Sequence, residues 1–157
     1  MGSLVLFVCT GNTCRSPMAE ALLRLALPQP SPWRVASAGL AACEGCRASE
    51  AAVAAIREIG GDLSAHRSQP VSAQLVQASA AIIAMTEAHA QQLMGRFPAA
   101  RDKLFLMRSF DPGAPAQSSV ADPFCGTLDE YRQCRDLIRR AIPGLVDFLT
   151  QAAQAAR

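Results

Sequence analysis

The sequence predicts an α/β fold: a single domain over residues 1–157, in which helices cover both faces of a four-stranded parallel sheet. Its 157 residues, 50% hydrophobic and 18% charged, are enough for one domain with a substantial core. Apolar, β-favouring segments alternate with segments of helical periodicity, without an internal repeat or a low-complexity linker. This alternation is typical of a three-layer α/β/α sandwich whose parallel strands are joined by right-handed crossovers.

Four segments have the composition of buried strands. The first is a continuous apolar run from Leu4 to Val8, which is typical of a strand buried on both faces. The others cover residues 33–38, 80–85 and 103–107. Ligands of such sheets bind beyond the carboxyl ends of the strands, so the residues after Val8 are candidates for a site.

The helices are predicted from their boundary residues as well as from periodicity. The first follows Ser16 and covers residues 18–25, with Pro17 in its first turn. The others are predicted over residues 47–59, before Gly60 and Gly61, over residues 86–96, before Pro98, and over residues 127–151, with a kink or interruption at Pro143.

A short loop joins the first strand to the first helix and contains Cys9 and Arg15. Backbone N–H groups converge in such a loop, and the helix N-terminus adds unpaired donors and a positive dipole, so the loop favours a phosphate. Gly11 allows the backbone to approach the anion, and Asn12 tolerates a left-handed conformation. Arg15 can clamp two phosphate oxygens. The sequence therefore predicts a phosphoryl-binding loop in which positive potential keeps Cys9 as a nucleophilic thiolate.

The longest non-periodic segment covers residues 108–126 and precedes the final helix. Loops of this length in a compact domain often carry function. It contains two Asp-Pro pairs, which start at Asp111 and Asp122, and either aspartate could simply begin a turn.

The segment VCTGNTCRSPMAEALL resembles the signature loop of the low-molecular-weight protein tyrosine phosphatase family. The similarity extends along the chain through the segments at residues 37–39, 64–67, 84–86 and 122–124. Within that family the chain is most similar to the bacterial protein-arginine phosphatases, which share CTGNTCRSPMAE and a stretch like residues 122–136.

This resemblance implies a hydrolase that forms a cysteinyl-phosphate on Cys9, with Arg15 holding the phosphoryl oxygens and Asp122 as general acid and base. Asp111 is then a turn residue. The resemblance also implies substrate contacts from the loop and from one aromatic side chain: Thr10, Gly11, Asn12, Thr13, Cys14 and Phe124. No metal and no cofactor is expected.

Three supporting side chains are implied as well. Ser16 is expected to donate a hydrogen bond to the Cys9 thiolate, and Ser37 and His66 are expected to brace Asn12. His66 has an alternative interpretation as a surface turn residue.

Two parts of the site, position 13 of the loop and the segment that starts at Asp122, indicate which substrate the enzyme hydrolyses. Thr13 is isoleucine in many tyrosine-specific members of the family and threonine in arginine-specific ones, and Asp122 could pair with the guanidinium of phosphoarginine. Tyrosine-specific members typically place two adjacent aromatics after the acid, whereas this chain has Phe124 and Cys125. We therefore predict phosphoarginine as the substrate, with phosphotyrosine as the alternative.

Two other functions are disfavoured. Arsenate reductases share the fold and the Cys-x5-Arg loop, but they need a further cysteine relay beginning near the end of the third strand, and residues 84–89 contain no cysteine. A non-enzymatic phosphate binder would need neither Cys9 as a thiolate nor Asp122 as an acid.

The chain has six cysteines, and we expect them to be reduced. Cys14 shares the loop with Cys9, so a disulfide between them could protect an oxidised Cys9, as the resemblance also implies. The other four could in principle bind zinc, but their spacing disfavours this and they are more simply ordinary small residues: Cys43, Cys46, Cys125 and Cys134.

Charge and hydropathy exclude other classes of partner. The net charge of +2 is small and dispersed, which disfavours nucleic-acid binding, and no apolar run reaches the ~18 residues of a membrane span. We therefore expect a cytoplasmic monomer that acts on phosphorylated proteins.

Overall fold

The computed structural model describes residues 2–157, so only Met1 of the predicted domain lies outside the described residues. Its sheet contains four parallel strands: β1 (Ser3–Cys9), β2 (Trp33–Gly39), β3 (Ser79–Ala84) and β4 (Leu104–Leu106). Their spatial order is β2-β1-β3-β4, so β1 lies inside the sheet and is paired on both edges.

Within residues 2–157, five α-helices surround the sheet: α1 (Arg15–Ala26), α2 (Glu50–Arg57), α3 (Ala73–Ala78), α4 (Glu87–Arg96) and α5 (Leu128–Ala155). Two 3-10 helices, Pro98–Lys103 and Met107–Phe110, flank β4. The side chains of Ser49, Ser72, Thr86 and Thr127 cap α2, α3, α4 and α5 by accepting hydrogen bonds from first-turn backbone N–H groups.

The core has two parts, one on each face of the sheet. Val5 and Phe7 of β1 pack in the larger part, with apolar residues of α1, α2 and α5. Leu6 and Val8 point to the opposite face and pack in the smaller part, with residues of α3 and α4. This alternation along one strand confirms the predicted three-layer α/β/α fold.

Several predicted boundaries are wrong. The second helix was expected from residue 47 but begins at Glu50, because Ser49 caps it and the Ser49 N–H donates to the carbonyl of Thr13. Helix α3 was not predicted; its six residues are too few to show a periodicity. Pro143 does not interrupt α5, which continues to Ala155.

Candidate active site

The loop between β1 and α1 forms the floor of a pocket at the carboxyl ends of the strands. Cys9 is the last residue of β1 and Arg15 is the first residue of α1, so strand and helix hold the two ends of the loop. The loop also lies close to β2, since a Cβ on Gly39 would be 2.4 Å from the carbonyl oxygen of Thr10. Only glycine fits at that position.

Asn12 holds the loop in its shape. It has a φ of 56°, the left-handed conformation that the sequence predicts, and it is completely buried. Its side-chain amide donates to Ser16 Oγ at 2.8 Å and to Ser37 Oγ at 2.9 Å. Its Oδ1 accepts from the backbone N–H of Gln69 at 3.0 Å, and its carbonyl oxygen lies 2.8 Å from His66 Nε2.

Ser16 links this network to Cys9. The Ser16 hydroxyl oxygen accepts from Asn12 Nδ2, so its own hydrogen is free to donate to Cys9 Sγ, 2.9 Å away. A hydroxyl donor stabilises a thiolate more than it stabilises a neutral thiol. Both side chains are buried.

Arg15 connects the loop to the segment that carries Asp122. Its side chain is buried and donates from Nη1 to the carbonyl oxygen of Val120 at 3.0 Å. Nη2 lies 3.4 Å from Asp122 Oδ2. Arg15 Nε is buried and has no hydrogen-bond partner within residues 2–157, which leaves one N–H donor for a ligand.

Asp122 and Phe124 form the opposite side of the pocket. The Asp122 side chain is 47% exposed, and its Oδ1 accepts from the backbone N–H of Phe124 at 3.1 Å. Phe124 is 66% exposed, more than any other large hydrophobic residue between Gly2 and Arg157. Val120 anchors the segment by donating its N–H to the carbonyl of Met85, just after β3.

The pocket brings together the residues that the sequence nominated for chemistry and substrate contact: Cys9, Thr10, Gly11, Asn12, Thr13, Cys14, Arg15, Asp122 and Phe124. Ser16, Ser37 and His66 do not line the pocket and contact Cys9 or Asn12 from outside it. Asp111 lies outside the pocket, and its Oδ1 accepts from Gly113 N, as expected of a turn residue.

Sequence reasoning missed two contacts to the loop. His89 Nε2 lies 2.8 Å from Thr10 Oγ1, and Tyr131 OH lies 3.1 Å from Cys14 Sγ. Burial and the hydrogen bond with Cys14 raise the pKa of Tyr131 to about 12, so its hydroxyl stays protonated. The sequence contains one signal for His89, its position just after the third strand, and one for Tyr131, its place in the stretch at residues 122–136 that is shared with the arginine phosphatases.

The cysteines outside the loop have no common site. Cys43, Cys46 and Cys125 are exposed, whereas Cys134 is buried on α5, and burial raises the pKa of its thiol to about 12. From Gly2 to Arg157, no group of three or more His, Cys, Asp or Glu side chains is placed to hold a metal ion. None of the helices described there is both long and apolar enough to cross a membrane.

Comparison with known proteins agrees with this geometry. Residues 4–155 match the family described as low molecular weight phosphotyrosine protein phosphatase. A protein-arginine-phosphatase of Geobacillus stearothermophilus is 41% identical, over 92% of this chain and 95% of its own. EpsP of Ralstonia nicotianae, a probable low molecular weight protein-tyrosine-phosphatase, is 37% identical, over 90% of this chain and 92% of its own.

A solved structure provides a third comparison. It is a mutant of YwlE arginine phosphatase in which serine replaces a cysteine and the active-site serine is phosphorylated. That chain is 36% identical, with a TM-score of 0.86, over 94% of this chain and 95% of its own. The chain described here therefore belongs to the low-molecular-weight phosphotyrosine protein phosphatase family. It is an enzyme, a protein phosphatase.

Proposed function

We propose that this protein phosphatase hydrolyses phosphoarginine in proteins through a cysteinyl-phosphate intermediate. The observation that carries the choice of substrate is the position of Asp122, whose half-exposed carboxylate faces the pocket 3.4 Å from one guanidinium group, that of Arg15. A second guanidinium, on the substrate, would meet the same carboxylate from the solvent side. A tyrosyl leaving group offers no such donors.

In the first step the Cys9 thiolate attacks phosphorus in line with the leaving group. The S–P bond forms and the P–N bond of phosphoarginine breaks. Asp122 enters this step protonated: one carboxyl oxygen accepts from the substrate guanidinium, and the other transfers its proton to the departing guanidine nitrogen. Arg15 and the loop amides stabilise the negative charge on the three equatorial oxygens, with the free Nε–H of Arg15 as an additional donor. The donor Ser16 stabilises Cys9 as a thiolate before attack and again when it leaves.

In the second step water replaces the thiolate on phosphorus. Asp122, now ionised, accepts a proton from the water molecule as its oxygen bonds to phosphorus, and the S–P bond breaks to release inorganic phosphate and the Cys9 thiolate. The phosphorylated active-site serine of the related YwlE mutant supports a covalent intermediate on the nucleophile. The residues already described perform both steps without a cofactor.

The pocket wall supports phosphoarginine as well. Thr13, a residue with a hydroxyl in place of a hydrocarbon arm, lines the pocket, and Phe124 is the single aromatic among the lining residues, able to pack on a planar guanidinium or on an alkyl stem. Relatives named for arginine and for tyrosine phosphatases are 41% and 37% identical. Because these values are so close, the substrate proposal depends on the pocket residues rather than on overall identity.

Phosphotyrosine remains the second candidate, since Phe124 is exposed at the pocket and would also stack on a phenyl ring. Arsenate reduction is not proposed, because Cys9 and Cys14 are the two thiols among the described residues that line the pocket.

The proposal also covers redox regulation, the cellular compartment and the partners of the enzyme. Cys14 lines the pocket with Cys9, which supports a protective disulfide between them after oxidation. Three cysteines are exposed, Cys43, Cys46 and Cys125, and we propose the cytoplasm, a reducing compartment, as the location. The partners would be phosphorylated proteins, bound by a monomer that does not bind nucleic acid.

Phosphate release from two peptides that differ only in phosphoarginine or phosphotyrosine tests the substrate. We expect the wild type to prefer phosphoarginine, and Thr13→Ile to shift the ratio of kcat/KM toward phosphotyrosine by about 10-fold or more. Thr13→Ser is the matched control, because it retains the hydroxyl. A wild-type preference for phosphotyrosine that Thr13→Ile leaves unchanged would refute the arginine assignment.

A further inference from the structure

His89 contacts the phosphate loop from the opposite side to the Asn12 network. It is the third residue of α4, and its backbone N–H donates to the cap, Thr86 Oγ1, at 3.1 Å. Its side chain is 5% exposed and its Nε2 lies 2.8 Å from Thr10 Oγ1. The first turn of α4 therefore brings an imidazole to the residue that follows the nucleophile.

The environment of the ring determines which nitrogen carries the hydrogen. Nδ1 is buried and has no hydrogen-bond partner in the part of the chain that the structure describes. A hydrogen on Nδ1 would be a buried donor without an acceptor, which is rare in proteins, whereas an unpaired lone pair costs less. The favoured tautomer of neutral His89 therefore has its hydrogen on Nε2, from which it donates to Thr10 Oγ1.

The ring is neutral at physiological pH. Burial, and to a smaller extent the nearby positive charge of Arg15, lower the pKa of His89 to about 4, against an opposing effect of Asp122. An imidazolium would carry hydrogens on both nitrogens and leave a charged donor unpaired at Nδ1.

This tautomer decides the direction of the Thr10 hydroxyl. Because Thr10 Oγ1 accepts from His89, its own hydrogen points elsewhere, and Thr10 is an exposed residue of the pocket wall. We propose that His89 is a positioning residue that orients the Thr10 hydroxyl so that its hydrogen is donated to the substrate in the pocket. This inference rests on the proposed phosphatase function and adds a side-chain donor to the backbone donors of the loop.

The tautomer can be measured directly. The chain has two histidines, His66 and His89, so nitrogen NMR spectra of the imidazole rings are assigned with His66→Gln and His89→Gln variants. We expect His89 to be neutral at pH 7 with its hydrogen on Nε2. A hydrogen on Nδ1, or a protonated ring at pH 7, would overturn the proposal whatever the variants do.

Kinetics with p-nitrophenyl phosphate test the link between the two side chains. Thr10→Val should lower kcat/KM by about 10-fold to 100-fold, as expected for one hydrogen bond to a charged group. Thr10→Ser should stay within a few-fold of wild type. His89→Leu should lower kcat/KM less than Thr10→Val, because the hydroxyl remains but is no longer oriented.

The double variant distinguishes positioning from packing. His89→Leu combined with Thr10→Val should be no slower than Thr10→Val alone, since the hydroxyl that His89 orients is already gone. His89→Gln, which retains an N–H donor, should recover much of the loss seen in His89→Leu. Independent, multiplying effects of the two substitutions, or normal activity of a folded His89→Leu protein, would contradict the proposal.

Two measurements, the affinity for inorganic phosphate and phosphate release from the two phosphopeptides, distinguish failure of this inference from failure of the proposed function. The affinity for inorganic phosphate, measured as inhibition or by titration, should weaken in Thr10→Val if the hydrogen is donated to the phosphoryl oxygens. If the wild type released no phosphate from either phosphopeptide, the proposed function would fail, whereas the tautomer of His89 and the phosphate affinity of Thr10→Val would still test the orientation of the Thr10 hydroxyl. If His89→Leu does not fold, the tautomer and the Thr10 variants carry the test.

Discussion

The two sides of the pocket are built differently. On the loop side, Asn12 is completely buried and makes four hydrogen bonds, which hold a left-handed backbone beside the nucleophile. On the acid side, Asp122 is half exposed and is held by Arg15 and one backbone N–H. The loop side is therefore organised before a phosphoryl group arrives, whereas the acid side can adapt to the group that leaves.

On the loop side of the pocket, removal of the nucleophile should cause the largest loss of activity. Cys9→Ser should lower kcat by at least about 1000-fold on every phosphorylated substrate, because a serine hydroxyl is not ionised in this pocket. Phosphate release and thermal unfolding are the measurements, and the unfolding temperature should change little. A variant with normal turnover would exclude the covalent mechanism.

On the acid side, the loss of activity on removing Asp122 should depend on the leaving group of the substrate. Asp122→Asn should lower kcat/KM on a phosphopeptide by about 100-fold or more, because the leaving group then departs without a proton. The loss with p-nitrophenyl phosphate should be smaller, since its leaving group needs less protonation. Equal losses on both substrates would contradict the role of Asp122 as general acid.

The network around Asn12 should matter for stability as well as for activity. Asn12→Ala removes the side-chain hydrogen bonds and leaves Ser16, Ser37 and the Gln69 N–H without this partner, so the free energy of unfolding should fall by about 2–4 kcal/mol. Asn12→Gly is the matched control. It loses the same bonds but tolerates a positive φ, so it should be about 1 kcal/mol more stable than Asn12→Ala. Denaturant unfolding compares the two variants.

The smallest expected effect is the pH dependence of stability from His89. Its pKa is about 4 in the folded protein and ~6.5 when unfolded, so the unfolded chain binds more protons between these values. Its contribution is complete above pH 6.5 and is lost as the pH falls toward 4. His89→Gln should lose less stability than wild type over this range. Equal losses would mean that other groups dominate.

Much of the loop side could be predicted from sequence because its residues are contiguous. A strand end, a glycine, an asparagine, an arginine and a proline at a helix start indicate one local structure, and the left-handed Asn12 follows from its residue type. The same reasoning missed α3 and misplaced the start of α2, because short helices depend on caps and on tertiary packing.

By itself, the sequence determined the order along the chain of the four strands and of every α-helix except α3, the phosphate loop between Cys9 and Arg15, and the family. The resemblance implied that Asp122 and His66 belong to the site, but only the tertiary structure gave their contacts, Asp122 with Arg15 and His66 with Asn12, and it alone brought His89 to Thr10. The physical reason is that local patterns follow from backbone geometry and hydrophobic periodicity. Contacts between residues far apart in the chain depend on how the helices pack on the sheet. A single side chain that makes such a contact produces no periodic pattern by which the sequence could reveal it.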